Sequence, residues 1–364
     1  MKIKDTFSIL EEMAPLGYAE PYDNVGLIIG DADENLTGIL VCHDAIETVI
    51  DEAIKNKCNL VVCFHPILFE PIKKITGKNY VEKAILKAIK NNIAIYAVHT
   101  ALDNHPEGVN KIICDKIGIL NSKILVPKPK YIQKLTTFTT LENAEKLRNS
   151  LFDAGAGKIG NYEKCSFISH GEGTYMGTKN SNPKIGSKFE FVATKEIKIE
   201  VTFEKHLQSK IIETLKKNHV YEEVAYEVYQ LENEHQNIGL GRIGMLKNAL
   251  TENEFLQLIK EKMGCGGIRH SGFLGKKIKK VAVLGGSGSS AIKNAIHLNA
   301  DAYITSDLKY HHYFEAEKHI LLADIGHFES ERFTKNYIVD FLKEKITNFA
   351  VIISQENTNP VKYF

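Results

Sequence analysis

Three apolar runs in this chain break into residues that bind metal ions. Asn59 to Phe64 ends in His65-Pro66, Ile93 to Val98 ends in His99-Thr-Ala-Leu-Asp103, and Ile320 to Ala323 leads into Asp324-Ile-Gly-His327-Phe-Glu-Ser-Glu331. Each run has the length and apolar content of a short buried strand. In open α/β sheets ligands gather outside the carboxyl ends of the strands, so three such ends predict that His65, Asp103, His327 and Glu331 meet at the rim of one sheet. Imidazole nitrogen and carboxylate oxygen together suit divalent cations, one or two per subunit. This donor set does not separate zinc, iron and manganese.

Each of these residues also has a plainer reading. A helix starting near Phe328 puts His327 and Glu331 on one face, with Cβ atoms roughly 5–6 Å apart, but an ordinary solvated first turn looks the same. His65 taken alone is a hydrogen-bonded residue at a strand end, where Pro66 stops the strand; only its partners make it a ligand. Asp103 offers a hard oxygen ligand in preference to a cap or turn role. His99 is open as ligand, proton carrier or orienter of a carboxylate. Gly285 to Ser290 lacks both G-x-G-x-x-G and the P-loop lysine, so a tight turn explains it better than a phosphate cradle. Thr305-Ser-Asp307 and His311-His312 could line the same cleft, although Asp307 reads first as a helix cap. Asp23-Asn-Val-Gly26, after Tyr22, either frames the cleft or turns the chain.

The elements that must hold these residues fall into three segments. From Lys2 to about Leu125 strands (38–42, 60–63, 93–98) alternate with helices (47–56, 80–91), the pattern of βαβ units around a buried parallel sheet. The same pattern returns with strands at 279–284, 301–305, 319–323 and 349–353 and helices at 290–298, 311–318 and 330–345. Between them, after the stiff Val126-Pro-Lys-Pro129, come a strand (131–139), a helix (141–154), a Gly-rich stretch (155–186), a strand (197–203), a helix (204–218) and a strand (223–231). That order reads as a ferredoxin-like domain. The expected organisation is an α/β domain with a largely parallel sheet over 1–126 and 236–364, interrupted by an inserted α+β domain over 130–232.

At 364 residues and 43% hydrophobic content the chain can bury sizeable cores. Lys and Arg number 46 against 45 Asp and Glu, which removes the electrostatic case for a nucleic-acid groove or an anionic membrane surface. The start carries no apolar signal region, and no run approaches the ~18 apolar residues of a membrane span. A cytoplasmic protein is expected. Six scattered cysteines without a C-x-x-C pair read as small buried hydrophobes in a reducing compartment.

Four ordered motifs resemble the NIF-three-like family of dinuclear-metal proteins, the GTP cyclohydrolase 1 type 2 homologues. The family pattern runs Glu-x-Trp-Asp-Asn-x-Gly-Leu, His-His-Pro-x-x-Phe, His-Thr-x-Leu-Asp and Gly-His-x-x-Ser-Glu. Here these are Glu20-Pro-Tyr22-Asp23-Asn24-Val25-Gly26-Leu27, Phe64-His65-Pro66-Ile67-Leu68-Phe69, His99-Thr100-Ala101-Leu102-Asp103 and Gly326-His327-Phe328-Glu329-Ser330-Glu331. The stretches 155–162 and 221–226 resemble the PII/CutA-like insert of the longer members. The resemblance implies that Asp103 and Glu331 bind one metal, that His65, His327 and Glu331 bind the other, and that the subunits form a homohexameric ring. Phe64 stands where the family pattern has the first histidine of the pair, which leaves the first metal with only two protein ligands unless His99 or another group moves in. The expected function is a metal-dependent hydrolase of a nucleotide-like substrate such as GTP, with His99 as a catalytic proton carrier. The alternative is a metal-binding scaffold or regulator whose insert senses a ligand or binds a partner.

Overall fold

The computed structural model describes residues 1–364, which fold as two compact units: 1–127 with 237–364, and 128–236. In the first segment the chain forms α1 (Phe7–Met13), β1 (Gly26–Ile29), β2 (Ile39–Asp44), α2 (Glu47–Lys55), β3 (Leu60–His65), α3 (Tyr80–Lys90), β4 (Ala94–Ala97), α4 (His99–Asp103), α5 (Val109–Ile117) and β5 (Ile119–Pro127). The middle segment forms β6 (Ile132–Thr139), α6 (Leu141–Asp153), β7 (Phe167–Met176), β8 (Phe191–Glu204), α7 (Gln208–Asn218) and β9 (Tyr226–Gln230). The last contributes β10 (Gly239–Leu250), α8 (Glu252–Met263), β11 (Arg269–His270), β12 (Ile278–Ser287), α9 (Ile292–His297), β13 (Ala302–Ser306), β14 (Leu321–Asp324), α10 (His327–Glu331), α11 (Thr334–Lys345) and β15 (Val351–Ile353).

The first unit contains two sheets where the sequence pattern predicts one. Five strands run β1-β4-β3-β2-β15 and six run β11-β14-β13-β12-β10-β5. Strands β15, β2, β3 and β4 are parallel, as are β12, β13 and β14, while β1, β5, β10 and β11 pair antiparallel. The second sheet arises because β5 pairs with β10 across the insertion, and only β15 returns to the first sheet. Alternate residues explain the layering. Val41, Val62 and Tyr96 join Val283 and Ile304 in a core shared by both sheets and helices α1, α5, α8 and α11, whereas Cys42, Val61 and Ile95 pack outward under α2 and α3. Sheets covered on both faces need the near-continuous apolar runs seen here.

Several elements differ from expectation. The 330–345 helix is broken into α10 and α11, and 311–318 is a 3₁₀ segment, Tyr310–Ala316. Gly285 and Gly286 lie within β12 rather than in a turn, and they donate their amides to Asn110 Oδ1 and Ser330 Oγ, each at 2.9 Å, which leaves neither for a phosphate.

In the second unit, β7, β8, β6 and β9 form one antiparallel sheet in that order. Leu147 and Leu151 of α6 and Ile211 and Leu215 of α7 pack with Leu135, Ile197, Ile199 and Val201 in a core of their own. Strand β7 lies inside the stretch read only as Gly-rich. It is largely exposed, so it lacks the apolar alternation that marks a strand in sequence.

Candidate metal centre

Parallel strands bring their carboxyl ends to one side. Asp44 pairs with His65 across β2 and β3, and only Val98 separates the end of β4 from α4. From the second sheet, β12 ends at Ser287, β13 is followed by Asp307, and β14 leads through Gly326 into α10. The three predicted strand ends therefore do meet, but at the facing rims of two sheets rather than at one.

Glu331 is the hub. It is 3% exposed, and its Oε2 lies 3.2 Å from His327 Nε2, 3.3 Å from His65 Nε2 and 3.5 Å from His43 Nε2. His65 Nε2 and His327 Nε2 face each other across 3.4 Å. Two lone pairs or two N–H groups so aimed repel, one of each forms an N–H···N hydrogen bond, and a cation between two lone pairs attracts both. Donors held tetrahedrally at about 2.1 Å from zinc stand roughly 3.4 Å apart, so these separations fit a shared ion. The carboxylate approaches so closely that Gly286, at φ +69°, has no room for a side chain: a Cβ there would collide with Glu331 Oε1.

The far nitrogen of each predicted imidazole is held by an aspartate. His65 Nδ1 lies 2.8 Å from Asp44 Oδ1, His99 Nδ1 2.8 Å from Asp23 Oδ1, and His327 Nδ1 2.6 Å from Asp307 Oδ2. This pairing fixes ring orientation and leaves Nε2 as the second ring nitrogen of each imidazole. Asp307 is thus an orienting residue and not a helix cap. Its φ of +57° lies in the left-handed region, and the 3₁₀ segment that follows is capped by Lys309. The Asp23 loop frames the cleft, since Asp23 also accepts from the Thr100 amide and hydroxyl.

Charges are strongly coupled. Burial opposes protonation of His65 and His327, yet Asp44 and Glu331 lift the first to about 9, and Asp307 and Glu331 lift the second to about 11. Burial would raise the Glu331 carboxyl, but His327, His43 and His65 hold it well below the usual carboxylate range. Burial, reinforced by the Glu331 charge, pushes Asp103 well above that range. Asp103 Oδ1, Glu331 Oε2 and both His43 nitrogens are buried without a hydrogen-bond partner. Unpaired buried acceptors beside imidazoles are the expected surroundings of a divalent cation.

His65, His327 and Glu331 place their donor atoms within 4.8 Å of one another. His43, Asp44 and His65 form a second such group, although the Asp44–His65 hydrogen bond makes Asp44 an orienting partner. His99 adjoins the cluster, its ring centroid 5.2 Å from that of His65. Sequence reasoning missed His43 and Asp44. The sequence carries a signal for both: β2 is an apolar run that continues past Cys42 into His43-Asp44.

The pattern of the Duf34/NIF3 (NGG1p interacting factor 3) family matches residues 1–360. The chain belongs to this family. Among its Duf34/NIF3 relatives is a Bacillus subtilis protein named GTP cyclohydrolase 1 type 2 homolog, 34% identical over 98% of this chain and 96% of the relative. A Staphylococcus epidermidis protein of the same name is 33% identical over the whole of both chains. Among solved structures, the Bacillus cereus protein related to NIF3 superposes with a TM-score of 0.85 at 35% identity, covering 100% of this chain and 99% of that one. A Staphylococcus aureus protein follows with a TM-score of 0.79 at 28% identity and the same coverage. No helix of this Duf34/NIF3 chain is long and apolar enough to cross a membrane.

Proposed function

We propose that this protein binds divalent cations through His65, Asp103, His327 and Glu331 and acts as a metal-dependent hydrolase on a nucleotide-like substrate. The observation that carries the reading is the convergence of two aspartate-oriented imidazoles on one buried Glu331 oxygen. When bound, the cation supplies Lewis-acid chemistry: charge stabilisation at the reacting oxygens and a lowered pKa for water. Asp44 and Asp307 aim the ligand nitrogens. In this reading His99 moves a proton at Nε2, and its 2.8 Å contact from Nδ1 to Asp23 Oδ1 supports that role. The relatives' shared name suggests GTP as the first substrate to try. From the four sequence motifs and the family pattern they resemble we further propose that the subunits assemble as a homohexamer, and six free thiols suit a reducing cytoplasm.

The test is the metal content of the purified chain and its turnover of GTP, with Glu331→Ala as control. Bound metal that disappears in the variant, together with turnover that disappears with it, is the expected outcome. Metal without turnover of any nucleotide leaves the site and removes the hydrolase.

The second reading, a metal-binding scaffold or regulator, is favoured by a cavity of about 700 Å³ in the second unit, lined by residues of β7 with Glu196, Lys198 and Tyr221. We infer that this unit is a ferredoxin-like, PII/CutA-like module. Support comes from its β-α-β-β-α-β order and its neighbour order β7-β8-β6-β9.

A further inference from the structure

Among the imidazoles of the cluster, His43 alone has no hydrogen bond at either ring nitrogen, yet it is only 3% exposed. Buried polar groups without partners are rare enough to require an explanation. Strand register supplies the first part of one. Cys42 pairs with Cys63 and Asp44 with His65, so His43 lies opposite Phe64 on the core-facing side of the sheet. Its ring stacks on Phe64, with centroids 5.4 Å apart and planes at 21°, and meets the edges of His65 at 4.7 Å and Phe328 at 5.3 Å. Packing between rings orients it, where aspartates orient the other three. The outcome of that packing is that Nε2 stands 3.5 Å from Glu331 Oε2.

The second part is the demand for a ligand. Phe64 is fully buried beside the cluster and offers no donor atom, while Asp103 keeps Oδ1 buried and unpartnered. His43 falls in the donor group with Asp44 and His65 and not in that of His65, His327 and Glu331, and Asp103 falls in neither. Three buried atoms, His43 Nε2, Asp103 Oδ1 and Glu331 Oε2, thus remain without hydrogen bonds, a combination of imidazole and carboxylates that divalent metals favour.

Resting on the reading of this cluster as a metal centre, we infer that His43 is a metal ligand: its Nε2, with Asp103 and Glu331, holds a second cation beside the one held by His65, His327 and Glu331. The neighbouring strand thereby provides the imidazole that position 64 lacks. Because no carboxylate backs the His43 ring as aspartates back the other three, the second ion binds more weakly than the first.

The experiment is a zinc titration of the full-length chain after chelator treatment, read by calorimetry and by metal analysis, with cobalt(II) absorption as a report on ligand geometry. The wild type is expected to bind two ions per chain with unequal affinity. His43→Leu, which nearly conserves volume, should keep the tighter ion and lose the weaker or weaken it at least tenfold. His43→Leu combined with Phe64→His should return to two ions. His43→Gln stands in for the first variant if circular dichroism shows that leucine prevents folding. Two ions of unchanged affinity in His43→Leu, or one ion only in the wild type, would overturn the assignment while leaving the His65–His327–Glu331 site intact. No bound ion in the wild type would sink the metal centre itself.

Discussion

Asp307 touches no other donor of the cluster, yet it holds His327 at Nδ1 and so decides where Nε2 points. Outer partners of this kind are worth about 10–100-fold in metal affinity. Asp307→Asn keeps a residue suited to φ +57° and removes only the charge. Zinc affinity measured by competition with a chelator should fall about tenfold or more; unchanged affinity would show that the aspartate does not set the imidazole. At this scale the sequence was partly readable. His65, Asp103, His327 and Glu331 are legible because each follows an apolar run, whereas His43 is hidden because the apolar pattern ends its strand at Cys42, two residues short of Asp44. Asp23 and Asp307 carried no such mark, since a loop aspartate looks the same whether it caps, turns or orients a histidine.

Elements were legible where burial imposes a period. The runs 60–65 and 94–97 are apolar because both faces of their sheet are covered, and helices α2 and α3 follow the 3.6-residue spacing of the face they press on it. Strand β7 was not legible because no core demands alternation from it. Helix α3, which covers the rear of the first sheet, shows how a local device secures an element. Glu82 accepts from the Thr76 and Lys78 amides and the Thr76 hydroxyl, while Asn79 caps the Glu82 amide. These hydrogen bonds, the Thr76 amide first, hold the Glu82 carboxyl down at about 2 against an ordinary 4.5. A depressed folded-state pKa contributes stability that is present above the unfolded value and lost as pH falls through the folded one. Glu82→Gln should therefore lower Tm at pH 7, and the gap from the wild type should narrow from about pH 4.5 downward and close near pH 2. A pH-independent gap in thermal melts would assign the loss to packing instead.

On the scale of the whole molecule, the segment 128–236 leaves and returns through a ladder that belongs to the first unit. Strands β5 and β10 pair from Ile119 and Leu246 to Pro127 and Gly239, with one register shift between Ile243 and Met245, so the segment leaves from a paired residue and its far end is two residues short of that residue's partner. Two adjacent antiparallel ends can be joined by a short turn. The core of the second unit, around Leu135, Leu147, Ile199 and Ile211, draws nothing from the sheets that carry the cluster. All of His43, His65, Asp103, His327 and Glu331 come from the first unit. Replacing 128–236 with Asn-Gly, which together with Asn237 and Ile238 makes a four-residue connection between Pro127 and Gly239, should thus leave a folded protein with the zinc affinity and stoichiometry of the full chain, as read by calorimetry and thermal melts. If the shortened protein folds cooperatively but no longer binds zinc, the geometry around Glu331 depends on the insert, and the separation of a metal-holding unit from an appended module is wrong.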